Sequence, residues 1–215
     1  MKQLLYKEWR LALHPATAAF WALSAMVLIP GYPYGVIFFY AALGLFFVCL
    51  TGRENRDLHY TLTLPVCKGD LVRARIWFAV QAELIQLALT IPFMALRNAL
   101  HILPNPVGMD ANIALVAVGF VLLGVFNLAF FTRYYRAPDK VGKAFVISSI
   151  VQFAVMFLLE ALTHIVPFFR DRLDTPDPMW LGEKLAALAV GAALYAAMTW
   201  LACRRAMRTF EALDL

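Results

Sequence analysis

A chain of 215 residues that is 62% hydrophobic, 15% charged and has a mean hydropathy of +0.71 is no soluble domain, since such domains are roughly 45–50% apolar and about 25% charged. Its net charge of +5 comes in short clusters between apolar runs of about 20 residues, a pattern of topology signalling that argues against nucleic-acid binding. The expectation is a single all-α integral membrane domain over 1–215, with no soluble domain attached.

Residues 1–14 precede the first apolar run. At 100° per residue, Leu5, Tyr6, Trp9, Ala12 and Leu13 gather on one side, joined by Lys2, while Gln3, Lys7 and Arg10 gather on the other. This predicts a short amphipathic helix lying in the membrane interface, with Trp9 at headgroup depth. It is not read as a signal peptide, because the next apolar run is long and no clear cleavage site closes it. The bland alternative is a basic terminus that only sets orientation.

Six spans follow, at about 15–29, 34–50, 76–96, 112–131, 145–166 and 185–203. Pro15 suits a helix start, and Pro30, Gly31 and Pro33 make a turn between the first two spans. Those two are near the short limit for a hydrocarbon core of about 30 Å. Between the second and third spans lies the charged interval 52–75. It carries Arg53, Arg56, Lys68, Arg73 and Arg75.

Of the 19 lysines and arginines, all but Arg97, Arg170, Arg172 and Lys184 fall on one side of this layout. The last three are offset by Asp171, Asp174, Asp177 and Glu183. The positive-inside rule then puts both termini, 52–75 and the loop after the fourth span in the cytoplasm. The chain is then expected to cross a cell membrane many times. Cys49, Cys67 and Cys203 have neither CxxC spacing nor histidine neighbours, so no disulfide framework or metal site is expected.

The sixth span is rich in small residues, with Ala186, Ala189, Ala193 and Ala197 on one face. That face is expected to pack inside the bundle or against a second subunit. Two other spans carry polar stripes at helical spacing. One is Ala79, Glu83, Gln86 and Thr90; the other is Ser149, Gln152, Met156, Glu160 and Thr163. A carboxylate at the bilayer centre costs about 2.5–3.5 kcal/mol on insertion scales, so these stripes should face protein or water. Glu83, Gln86, Gln152 and Glu160 are therefore a candidate polar pathway. In the bland reading Glu83 pairs with an arginine such as Arg75, and Glu160 sits near outer water with His164.

Motifs for chemistry are missing. Gly142-Lys143-Ala144 lacks the upstream glycine and the hydroxyl of a phosphate loop, and there is no His-Glu-x-x-His or Gly-x-Ser-x-Gly. No catalytic residue is assigned. The chain is not expected to hydrolyse ATP itself, nor to bind a cofactor or metal.

Two stretches carry a family resemblance. The first is Leu4-Leu5-Tyr6-Lys7-Glu8-Trp9-Arg10; the second runs from Glu54 through Leu62-Thr63-Leu64-Pro65-Val66-Cys67-Lys68 to Val72-Arg73-Ala74-Arg75. Together they resemble ABC-2 type transporter permeases, in which a glutamate opens the loop and a Leu-Pro-Val-Ser-Arg-like turn leads into the third span. Cys67 and Lys68 stand at the Ser-Arg positions. The tail from Phe210 to Leu215 is similar to those of small members.

The resemblance implies one permease subunit of an exporter, paired with a second permease subunit, identical or related, and served by separate ATP-binding cassette subunits that hold ATP and magnesium. It implies a short cytoplasmic coupling helix contacting the ATPase through Glu54, Asn55, Arg56, Asp57, Leu58, Tyr60 and Leu62. A second, smaller contact would involve Asp139 and Lys140. Leu58 and Leu62 at i, i+4 supply an apolar anchor, with Arg56 and Asp57 for registry. Leu58, Tyr60, Leu62 and Leu64 also alternate with period two, as a strand would. An isolated strand at a membrane surface has no partner, so the helix is preferred, ended by Pro65. Such exporters carry peptides, antibiotics, lipids, polysaccharides or ions, and the polar stripes select among none of these. The alternative class is a non-transporting membrane assembly or immunity protein that engages partners through 52–75. An intramembrane enzyme using Glu83, Glu160 and His164 is disfavoured by their different depths.

Overall fold

The predominance of straight-chain and small apolar residues over turn formers makes long helices the way to satisfy backbone polar groups in an oily chain. The computed structural model describes residues 2–213, and it is helical throughout with no strand among them. Helix α1, Lys2–Lys7, continues as a π turn over Glu8–Ala12. Helix α2, Pro15–Ala22, tightens into a 3-10 segment, Leu23–Leu28. Then come α3, Gly35–Glu54; α4, Asp57–Leu62; α5, Lys68–Ala99; α6, Ile113–Tyr134; α7, Val141–Ile165; and α8, Leu181–Glu211.

Five helices, α3, α5, α6, α7 and α8, are long and apolar enough to cross a membrane. The expected first span at 15–29 does not stand alone. It forms a broken pair with Lys2–Ala12, bent by 81°, and the total reaches six only if that pair counts as one. The break follows from Leu13 and His14. The His14 imidazole Nδ1 accepts from the Ala16 amide at 3.1 Å, capping a new helix that starts at Pro15. Elsewhere the helices overrun the predicted spans, notably α8 and α5, and the 32 residues of α5 measure about 48 Å. The basic stretch Lys68–Arg75 thus forms its first two turns.

Two ends can be distinguished. At the basic end the N-terminal segment packs against α4 and the C-terminal one against the start of α5. Lys7 bonds Asp57, and Lys68 donates to the Leu213 carbonyl at 2.5 Å. From there α2 and its 3-10 extension run beside α5: Trp21 donates to the Ala82 carbonyl, Gln86 to Ser24, and Arg97 to the Val27 carbonyl.

At the opposite end the loop around 166–184 is tied down. Asn112 donates to the carbonyls of Leu173 and Thr175, and the Ile113 amide donates to Asp177 at 3.1 Å. Lys184 is wholly buried, 2.8 Å from Asp177. Arg97 pairs with Asp110 at 3.1 Å and also bonds the Tyr34 hydroxyl and Leu103 carbonyl.

The central helix is α6. Of its apolar window 67% is buried, against 22% for α7 and for α8. Its glycines make this possible. A Cβ on Gly119 would lie 2.5 Å from the Phe38 ring, and one on Gly124 3.0 Å from the Tyr195 Cα. On α8, a Cβ on Gly191 would lie 2.7 Å from the Ala117 carbonyl. The α8 packing seam runs through Lys184, Gly191, Tyr195, Thr199, Ala202, Ala206 and Phe210. The small-residue face Ala186, Ala189, Ala193 and Ala197 points outward instead. Tyr195, not alanine, fills the seam because Gly124 leaves α6 open opposite it.

Candidate functional site

The charged interval folds into a clamp beneath α4. Arg56 adopts a left-handed backbone, φ 51°, which breaks α3 from α4. α4 then spans only Asp57–Leu62. Glu54 closes α3, Asn55 and Arg56 form the turn, and Thr63, Leu64 and Pro65 follow the helix. Leu58 is buried in the apolar cluster that contains Val48, Leu71 and Tyr134, with Leu62 packed beside it. The Leu58–Leu62 pair therefore anchors α4 to its own chain. Asp57 also points inward. The outward surface consists of Glu54, Asn55, Arg56, His59, Tyr60, Thr63 and Leu64.

Beneath α4 sits Arg75, 2% exposed, from the second turn of α5. Its Nη2 donates to Asp57 at 2.6 Å, and its Nε lies 2.5 Å from a Glu8 carboxylate oxygen. The Nε contact is ionic, because the N–H does not point along it and neither atom gains a hydrogen bond there. Nη2 adds a 3.4 Å bond to the other Glu8 oxygen. Lys7 completes the cluster, donating to Asp57 at 2.8 Å and to Thr61 at 3.1 Å.

Burial pushes the Asp57 carboxyl up, but the Arg75 and Lys7 cations outweigh it and hold it below the usual carboxylate range. One buried guanidinium thus joins α1, α4 and α5. The π turn at Glu8–Ala12 makes this possible by shifting the phase between Lys7–Glu8 and Ala12–Leu13. Lys7 and Glu8 face inward together with Trp9, whose indole donates to Gln81 at 2.7 Å, while Tyr6 points away.

Asp139 and Lys140 lie in the 3-10 turn Pro138–Lys140 before α7, and they face different ways. Asp139 borders a small groove with Arg53, Arg56 and His59, and its carbonyl accepts from Arg53 at 3.4 Å. Lys140 lines a separate groove beside Arg133, Arg136 and Lys143.

The four polar-pathway residues are all drawn inward to some degree, but they are not brought together. Glu83 is wholly buried. One of its oxygens accepts from Asn127 at 2.9 Å and from Tyr195 at 2.6 Å, and Asn127 also donates to Thr199 at 3.2 Å. The other Glu83 oxygen has no partner. No cation pairs with Glu83 among the described residues, and Arg75 is committed elsewhere. Gln86 bonds Ser24 at 2.9 Å. Gln152 is buried with both amide atoms unpartnered. Half-buried Glu160 borders a small cavity with Tyr34, Gly35 and Met156. Two members of the Glu83 cluster, Tyr195 and Thr199, also line a groove of about 290 Å³ between α5 and α8, flanked by Trp77 and Trp200.

Sequence reasoning missed Glu8, Asn127, Tyr195 and Thr199. Asn127 was visible as the one amide in a 22-residue apolar helix, a placement that calls for a partner. Glu8 had no such signal, because its burial depends on the π turn. No metal-binding group of histidine, cysteine or carboxylate residues occurs among the described residues. No known protein family, curated protein or solved structure matches this chain.

Proposed function

We propose that this chain is the multi-pass permease subunit of an ATP-binding cassette exporter of the ABC-2 type, seated in a bacterial inner membrane. In this reading the bent pair Lys2–Leu28 provides the first of six crossings, preceded by an interfacial turn, and both termini and α4 are cytoplasmic. The charge asymmetry supports that orientation. Arg97, Arg170, Arg172 and Lys184, at the opposite end, are each paired with a carboxylate, so the uncompensated cations collect at the basic end. The exposed small-residue face of α8 supports a second permease subunit as neighbour.

The observation that carries the reading is α4 itself. It is a separate short helix after the second long segment of the chain, with Arg56, His59 and Tyr60 outward and Asp57 locked inward to Arg75 and Lys7. The exporter's ATPase would press on the outer face. Displacement of α4 would pull Arg75, and with it α5 and α1, as one unit. Asp139, beside Arg53 and Arg56, would extend the same contact. ATP and magnesium stay on the partner.

The test is co-expression with a candidate ATP-binding cassette subunit from the same organism, followed by co-purification and ATPase turnover in lipid. Tyr60→Asp combined with Arg56→Glu changes only outward residues, so it should leave the fold intact and abolish ATPase capture. Unchanged capture and unchanged stimulated turnover would sink the assignment.

A further inference from the structure

The groove that holds Lys140 is strongly basic. It measures about 380 Å³, and its floor is made of Arg133, Arg136, Lys140 and Lys143. Among the described residues no carboxylate pairs with any of the four. Arg133 donates to the Ala129 carbonyl of its own helix, which leaves its charge uncompensated.

The groove lies where α6 ends and α7 begins. Four exposed cations at one helix junction make a locally positive surface that favours an anion.

The wall above the floor is apolar. Ala144 and Ile147 line the groove, and on the same face of α7 Lys143, Ile147, Ile150 and Phe157 follow one another at helical spacing. Val146, Ile150 and Phe157 are exposed. A basic floor continuous with an exposed apolar stripe matches one kind of molecule, an amphiphile with an anionic head and long apolar tails. A free anion has no use for the stripe, and an acidic protein surface has none for its length.

We infer that the groove between α6 and α7 binds an anionic phospholipid, its phosphate on Arg133, Arg136, Lys140 and Lys143 and its acyl chains along Ile147, Ile150 and Phe157. Basic pockets between membrane helices take such headgroups, and each nearby lysine or arginine contributes about fivefold in affinity. The site does not depend on the exporter reading, since it needs only a membrane with anionic lipid.

Native mass spectrometry of the full chain, extracted in mild detergent and offered phosphatidylglycerol or phosphatidylcholine, tests this. The wild type should retain phosphatidylglycerol with at least a roughly tenfold preference. The quadruple variant Arg133→Gln/Arg136→Gln/Lys140→Gln/Lys143→Gln should lose that preference, and the α8 variant Arg204→Gln/Arg205→Gln/Arg208→Gln should keep it. If the quadruple variant fails to fold, Arg136→Gln/Lys143→Gln replaces it, with an expected loss of at least about fivefold. Millimolar inorganic phosphate should not displace the lipid. Four results would overturn the assignment: equal retention of both lipids, equal loss in the α8 variant, complete displacement by phosphate, or a quadruple variant that keeps lipid while losing only a co-expressed ATPase.

Discussion

The substitution Arg75→Met tests whether α1, α4 and α5 are held by one charge. Methionine keeps much of the side-chain length and removes the guanidinium. Glu8, 1% exposed, then keeps only Lys7, whose nearest approach is 3.3 Å from a partly exposed position. Removing one partner of a buried ion pair costs about 3–5 kcal/mol, because the other is left without compensation. Asp57 is in a different situation. It remains bonded to Lys7 and is partly hydrated, so its share of the loss should stay within about 1 kcal/mol.

Arg75→Met should therefore destabilise by about 3–5 kcal/mol, or roughly 6–20 °C in Tm at this chain length. Glu8→Gln should rescue part of it. The double variant Glu8→Gln/Arg75→Met should be more stable than the sum of the single changes predicts, by about 1–3 kcal/mol. Thermal unfolding in detergent, followed by intrinsic tryptophan fluorescence, reads this directly, because Trp9 and Trp21 lie near the clamp and pack at 6.2 Å from each other. An Arg75→Met variant within about 1 kcal/mol of wild type, or a strictly additive cycle, would refute the idea that the guanidinium holds the three segments.

Three further outcomes are expected. Asp57 titrates below its unfolded value, so its contribution is complete above the ordinary carboxylate range and is lost as pH falls through the folded value. The Tm gap between wild type and Asp57→Asn should hold from neutral pH to about pH 5 and close below about pH 4, as a detergent melt across pH would show. Gly191→Ala places a Cβ 2.7 Å from the Ala117 carbonyl and should cost about 1–3 kcal/mol by forcing α6 and α8 apart, measurable by the same melt. Glu83→Ala leaves the Asn127 amide and the Tyr195 hydroxyl without their shared acceptor and should cost about 1–3 kcal/mol, whereas Glu83→Gln retains an acceptor oxygen and should cost less. Equal losses in the two Glu83 variants would show that the hydrogen bonds contribute little.

The long helices were legible because their signal is local. Apolar runs of helical length, bounded by Pro, Gly and basic clusters, announce α3, α5, α6, α7 and α8 whatever surrounds them. The helix after the second predicted span was legible for a similar reason: Pro65 closes it, and Asp57 suits its first turn. The inward direction of the stripe Ala79, Glu83, Gln86 and Thr90 followed from the cost of polar groups in lipid, and all four are wholly buried.

What each side chain meets was decided by tertiary structure. The apolar pair Leu58 and Leu62 reads equally well as an anchor for a partner or for the chain's own core, and only the fold chose the core. The face of α8 bearing Ala186, Ala189, Ala193 and Ala197 looks on a helical wheel like a packing seam. Yet the seam formed around Gly191 and Tyr195, because Ala117 and Gly124 of α6 stand opposite them.

Glu8 and Arg75 are 67 residues apart, and no local rule links them. Their pairing needs the π turn in the first segment, the long start of α5 and the left-handed break at Arg56 at the same time. Helical periodicity is a property of neighbours a few residues apart, so which stretches are helical and which end of the protein is basic can be read along the chain. A buried charge is satisfied by whatever reaches it across the bundle, so the three-way clamp beneath α4 was decided only when the helices met.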